Sequence, residues 1–158
     1  MKKIFLILLT CFSVAANAQV SKVTLQASGL TCSMCSNAIN KALKSVDYVD
    51  KVYANIKTSS FDILFKPGAA VDFDELKKKV EGAGFFVAKF TAIVHFDTNQ
   101  IVNDDHVVVN NITFHFLNVK DQVLSGDKAV QLLDRGYVSA REFKKNEVFT
   151  KMQCYKTG

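Results

Sequence analysis

The stretch Gly29-Leu30-Thr31-Cys32-Ser33-Met34-Cys35-Ser36 sets two thiols three positions apart, between two segments of different periodicity. Before it, Val23, Leu25 and Ala27 alternate with Lys22, Thr24 and Gln26, the period-two signature of a strand with one buried face. After it, Ile39, Ala42, Leu43 and Val46 share one side of a 3.6-residue period, which predicts a helix over Ser36 to Val46. The two cysteines therefore fall at a strand-to-helix junction. A short loop lets both sulfurs face one ion, and a pair of thiolates is a soft donor set suited to Cu(I).

The patterning continues outward. Val49 to Asn55 predicts a second strand, with Val52, Ala54 and Ile56 on one face, followed by a turn at Lys57 to Ser59 and a third strand carrying Phe61, Ile63 and Phe65. Pro67 and Gly68 interrupt the chain. Asp72 then offers an N-cap with Glu75 three positions on, and Phe73, Leu76 and Val80 form the apolar stripe of a second helix that Gly82 and Gly84 end. A last strand begins at Phe85 and keeps Phe86, Ala88 and Phe90 on one parity. The order β-α-β-β-α-β over about 70 residues is the split βαβ, ferredoxin-like arrangement of the α+β class, two helices on one face of a four-stranded antiparallel sheet.

Residues 21 to 90 resemble the heavy-metal-associated domain family. The resemblance rests on Gly29-Leu30-Thr31-Cys32-Ser33-Met34-Cys35, which has the family form Gly-Met/Leu-Thr-Cys-x-x-Cys, on the element order, and on Ala83-Gly84-Phe85 before the last strand. It implies a soft-metal-binding module rather than an enzyme, as in copper chaperones, the amino-terminal segments of P-type copper ATPases and periplasmic mercury-binding proteins. By that resemblance Cys32 and Cys35 are the metal ligands, and Hg(II) joins Cu(I) as a candidate ion. A metal-transporting P-type ATPase or an efflux system becomes the candidate partner. Phe85, at the family's aromatic position, either approaches the metal loop or serves as a core aromatic.

The residues give the two cysteines the same role independently. Cys35 is expected in the first turn of the helix, where unpaired N–H groups and the helix dipole favour a thiolate. Zn²⁺ prefers four ligands in a structural site, and the loop supplies two cysteines with no histidine or carboxylate close by, so the pair leans towards Cu(I). Met34, between the cysteines, is expected to pack inward as a hydrophobic plug. Thr31 is placed to brace the loop by hydrogen bonding.

The first residues bear on the compartment. Met1-Lys2-Lys3 is basic, Ile4 to Ala16 is an apolar stretch short for a membrane span, and Ala16-Asn17-Ala18 is an A-x-A cleavage signal. A secretory signal peptide over residues 1–18, cut after Ala18, is expected, with a periplasmic or secreted protein and no stable membrane insertion after cleavage. Loss of Cys11 leaves Cys32, Cys35 and Cys154, an odd number for a pure disulfide scaffold in an oxidising compartment. A metal site, a redox dithiol and an inert disulfide compete for the pair. A thioredoxin-like thiol-disulfide oxidoreductase calls for a proline facing the dithiol, and the one proline, Pro67, precedes the second helix. Trp, a common neighbour of that motif, is absent.

The formal charge of +5 falls when Lys2 and Lys3 leave, which argues against nucleic acid as a partner. Lys77, Lys78 and Lys79 read as the wet face of the second helix. Residues 19–90 form the expected metal domain and 91–158 a second part. The parity of the last strand runs on through Ala92, Val94 and Phe96 with no linker, so the two parts are expected to share a strand near 89–91. Beyond a polar turn at Asn99 to Asp105 come strand-like runs at Val107 to Val109 and Ile112 to Val119. A short helix from Gly126 to Asp134, capped by Gly136, and a final strand from Glu147 to Tyr155 complete a small, mostly-β, OB-like barrel. His95, His115, Met152 and Cys154 offer metal-binding chemistry there, but no ligand spacing joins them. His106 beside Asp104 and Asp105 has no accompanying nucleophile, which argues against acid-base catalysis.

Overall fold

Strand β1 (Val20–Ser28), helix α1 (Ser33–Lys44), strands β2 (Val49–Asn55) and β3 (Ser60–Phe65), helix α2 (Phe73–Gly82) and strand β4 (Phe86–Ile101) follow in the expected order. The computed structural model describes residues 20–30, 32–109 and 112–157, so the expected signal peptide at residues 1–18 and the bracing role of Thr31 lie outside the described residues. After β4 come β5 (Asp105–Val109), β6 (Ile112–Phe116), β7 (Gln122–Gln131), helix α3 (Ala140–Asn146), a 3₁₀ turn at Glu147–Phe149 and a short helix α4 (Cys154–Thr157). Among the described residues no helix is long and apolar enough to cross a membrane.

The main sheet has the order β2-β3-β1-β4-β7, and every pairing in it is antiparallel. Its first four strands are the ferredoxin-like part. Strand β1 buries Val23, Leu25 and Ala27, and its neighbour β3 buries Phe61, Ile63 and Phe65, so both alternations face one core. Helices α1 and α2 close that core with Ile39, Leu43, Leu76 and Val80. Asp72 caps α2 by accepting from the backbone N–H groups of Asp74 (2.8 Å) and Glu75 (3.1 Å), satisfying two donors the helix cannot.

Two strands differ from expectation, and in β4 the cause is a slip by one residue. The β1–β4 register moves from Ala27 opposite Val87 to Gln26 opposite Lys89, leaving Ala88 as an extra residue. This bulge reverses the parity of β4, so Val87 is buried while Phe86 is 70% exposed. A shift at Val49/Lys51 lets Val49 and Val52, three residues apart, both be buried, while Ala54 and Ile56, expected on the same face as Val52, are exposed.

Strand β4 passes the expected boundary near residues 89–91 without interruption. Its first part pairs with β1 and its later part, Thr91 to Ile101, with β7. The buried residues of both halves form one continuous cluster, from Val23 and Leu76 through Phe96 and Ile101 to Phe116 and Tyr137. The Phe90 ring joins them, edge-on to Phe73 at 5.3 Å and to Tyr137 at 5.2 Å.

The expectation of an OB-like barrel is corrected: β7 extends the main sheet, and β5 and β6 make a separate two-stranded hairpin. The segment expected as a helix from Gly126 to Asp134 is mostly the strand β7. Gly126 (φ +71) stands opposite Phe96, where the β4–β7 register shifts, so its left-handed backbone serves a bulge rather than a helix start. The expected final strand, Glu147 to Tyr155, is instead the 3₁₀ turn and α4, anchored by the buried Tyr155, whose hydroxyl donates to the Phe143 carbonyl at 2.9 Å.

Candidate functional site

At the end of β1, Gly29 takes φ +80, a left-handed conformation that turns the chain out of the strand. Leu30 packs against the core cluster, tying the loop down. Cys32 is the N-cap of α1, in extended backbone (φ −146, ψ 155), and its Sγ accepts the Cys35 N–H at 3.2 Å. The helix thus starts three residues earlier than the apolar stripe alone predicted. Ser36, buried, donates its N–H to the Cys32 carbonyl at 3.2 Å, and this first helical turn fixes the cysteines' spacing.

Cys32 and Cys35 are joined as a disulfide, with their Cα atoms 5.4 Å apart. Both sulfurs therefore reach one point, as the spacing implied, in the oxidised form. Two electrons and two protons convert the pair to a dithiol. No acidic residue occupies the first turn of α1, so nothing there competes for the positive end of its dipole, which favours a negative sulfur at the cap. Leu30, Cys32, Ser36, Ile56 and Ser59 line a small cavity of about 110 Å³ beside the loop.

Met34 corrects the expected inward plug. It is 82% exposed, because Cys32 caps the helix and the second helical position faces outward. Phe85 is partly buried against the core cluster and does not line the cavity beside Cys32, which fits the core-aromatic alternative. Of the three lysines expected as a wet face, Lys77 is the exception. Its ammonium pairs with Asp74 at 2.8 Å and lies 4.5 Å from the centre of the Tyr137 ring.

In the second half the proposed ligand set is regrouped. His95 hydrogen-bonds Asp127, its cross-strand partner, at 2.6 Å, and takes no part in a cluster with Cys154. His115 and Cys154 do come together, with His106 as the third member. Met152 and Cys154 do not project from a common strand, since Cys154 opens α4. The sequence carried an unused signal: only Asn110 and Asn111 separate β5 from β6, and a two-residue connection fixes His106 opposite His115. Asp104 accepts from His115, and hydrogen bonds from Thr150 and then His115 hold its carboxyl below the usual range.

An antiparallel sheet of order β2-β3-β1-β4, two helices on one face and a Cys-x-x-Cys pair at the mouth of the first helix define a small metal-handling module. The chain belongs to the heavy-metal-associated domain family, whose pattern matches residues 24–86. It is 35% identical over 86 residues to the mercuric transport protein periplasmic component of Serratia marcescens, covering 54% of this chain and 93% of that protein. It is 28% identical over 92 residues to a probable copper-exporting P-type ATPase of Archaeoglobus fulgidus, covering 58% of this chain and 11% of the ATPase. The chain spans between 6% and 11% of the length of the copper-transporting ATPases it matches. Among solved structures, oxidised MerP from Ralstonia metallidurans is 30% identical, with a TM-score of 0.40, covering 44% of this chain and 94% of that one.

Proposed function

We propose that Cys32 and Cys35, once reduced, bind one soft metal ion, Cu(I) in the first place, and pass it to a partner in the periplasm or outside the cell. The observation that carries this is the placement of both sulfurs on an exposed turn at the N-terminus of α1. Relatives named for copper export and for mercuric transport support a soft ion as cargo. Hg(II) is the second reading, favoured by the periplasmic relative that the chain covers almost completely.

Transfer proceeds by ligand exchange. A thiolate of the partner bonds to the metal while Cys32 and Cys35 still hold it, and then one of those two sulfurs leaves; no electron moves. The exposed position of Cys32 lets the incoming ligand approach before departure. A copper-transporting ATPase or an efflux system, bearing a comparable thiol pair, is the class of partner such exchange requires. The disulfide must first be opened by a dithiol reductant, which supplies the electrons and is itself oxidised.

The test is anaerobic titration of the reduced chain with Cu(I) against a chelating competitor. Replacing both cysteines (Cys32→Ser, Cys35→Ser) removes one equivalent of tightly held copper while the far-ultraviolet dichroism stays unchanged. Uptake unaffected by the double change refutes the assignment. Reduction of insulin disulfides at a thioredoxin-like rate assigns the pair to an oxidoreductase instead.

A further inference from the structure

Three metal-ligating side chains from three separate elements meet in the second half of the chain. His106 on β5 and His115 on β6 are direct cross-strand partners, and their rings stack with centroids 4.6 Å apart. Cys154, the first residue of α4 and a free cysteine, places its Sγ 3.4 Å from His106 Nε2 and 3.6 Å from His115 Nδ1. The three ligand atoms lie within 4.8 Å of one another. Nitrogen and sulfur ligands at ~2.0–2.3 Å from a single ion stand roughly 3.3–3.8 Å apart in tetrahedral or trigonal geometry. Both sulfur-to-nitrogen separations already meet that spacing.

The surroundings are those of a prepared ligand set. His115 Nε2 stands 2.9 Å from Asp104 Oδ1, and a carboxylate there keeps the N–H on Nε2, leaving the Nδ1 lone pair directed towards the sulfur. The three ligands line a cavity of about 660 Å³ whose other walls include Ile101, Phe116, Leu124 and Tyr155. Apolar walls shield a bound ion from competing water, and the cavity gives it a route of entry.

We propose that His106 Nε2, His115 Nδ1 and Cys154 Sγ form a second transition-metal site, distinct from the Cys32–Cys35 pair and suited to copper. Two imidazoles and one thiolate are a donor set copper favours, whereas a structural zinc site takes four protein ligands. On binding, the Cys154 thiol releases its proton to solvent as the sulfur–metal bond forms, with no change in oxidation state. Because Cys154 is outside the disulfide, this site stays competent when the loop is oxidised.

The decisive experiment uses the full chain without mutation, its disulfide intact, titrated anaerobically with Co(II) as an optical probe. Thiolate-to-cobalt charge-transfer absorption that Cys154→Ser abolishes is expected; its absence, or its survival in that variant, overturns the proposal. Cu(I) titration of the Cys32→Ser, Cys35→Ser variant is expected to show one remaining equivalent, lost when Cys154→Ser and His115→Ala are added. Asp104→Asn retains a residue tolerant of the left-handed backbone at that position (φ 58) and is expected to weaken affinity ~10–100-fold. Copper that disappears entirely with Cys32 and Cys35 overturns this site and leaves the loop assignment standing. One equivalent in both wild type and the double variant refutes the loop and upholds the cluster.

Discussion

Cys32 and Cys35 are brought together by a single helix end, whereas His106, His115 and Cys154 need a hairpin and a distant carboxy-terminal helix to meet. The first arrangement is local. Its two sulfurs are near neighbours in any conformation that keeps one turn of α1, so oxidation closes them on each other readily. The second arrangement is tertiary, with sequence separations of 48 and 39 residues between the sulfur and the imidazoles. Its free cysteine has no partner thiol close by among the described residues, and its ligands hold their places only while the β5–β6 hairpin and α4 keep their positions. A local dithiol can therefore act as a redox-gated site, and an assembled His-Cys set as one gated by folding.

The largest effect that tests this contrast is the response to reduction. Opening the Cys32–Cys35 disulfide raises the titratable thiol count by two and turns on copper binding at the loop, while binding at the His-Cys set is unchanged. Without reductant the loop holds no copper, since a disulfide offers no thiolate. Thiol titration paired with copper stoichiometry, before and after reduction, reads both quantities. Equal uptake in the two states would erase the contrast.

The next effect addresses the core that the halves share. Phe90 is fully buried and touches Phe73 on one side and Tyr137 on the other. Phe90→Ala removes a large buried ring at the junction and is expected to cost ~3–5 kcal/mol. Denaturant unfolding followed by far-ultraviolet dichroism and by a probe in the second half shows one transition in wild type, and the variant moves both signals together. Two separate transitions in the wild type would mean that the halves unfold independently in spite of the common strand.

How much was legible beforehand follows the same division. In residues 20–90 each element carried its own strong period, so β1, β3 and the helix stripes could be placed from sequence and the helix mouth found from the cysteines. Ala88 hid the one reversal, because a bulge changes parity without any change in residue type. Met34 was misplaced for a related reason: whether Cys32 or Ser36 starts the helix decides which way the intervening side chain points. In the second half β7 is a mostly exposed strand whose Ser125, Gly126 and Asp127 mimic a helix start. Its strand state comes from pairing with β4, a tertiary cause that no local pattern records. The His-Cys cluster was illegible for the same reason, apart from the two-residue connection that aligns the histidines.

The smallest effect concerns a single contact between the halves. The Tyr137 hydroxyl, buried and pushed up in pKa first by burial and then by Asp74, donates to Asp74 Oδ1 at 2.8 Å. Hydrogen bonds from Lys77 and then Tyr137 hold the Asp74 carboxyl below its usual range. A carboxyl whose folded value is depressed adds stability above its unfolded value of about 3.9, and loses that contribution as pH falls through the folded value. Tyr137→Phe leaves the ring packing against Phe90 but removes the bond, at an expected cost of ~1 kcal/mol near neutral pH. Asp74→Asn keeps an acceptor for Tyr137 and removes only the charge. Since the Asp74 side chain is 59% exposed, solvent screening limits its loss to about 0.5 kcal/mol, well below that of Tyr137→Phe. The gap between wild type and Asp74→Asn is expected to stay constant above about pH 5 and to close as the solution is acidified below about pH 4. Urea midpoints measured across that range test the sign, and a gap that widens in acid would show that charge at Asp74 destabilises the junction between the halves.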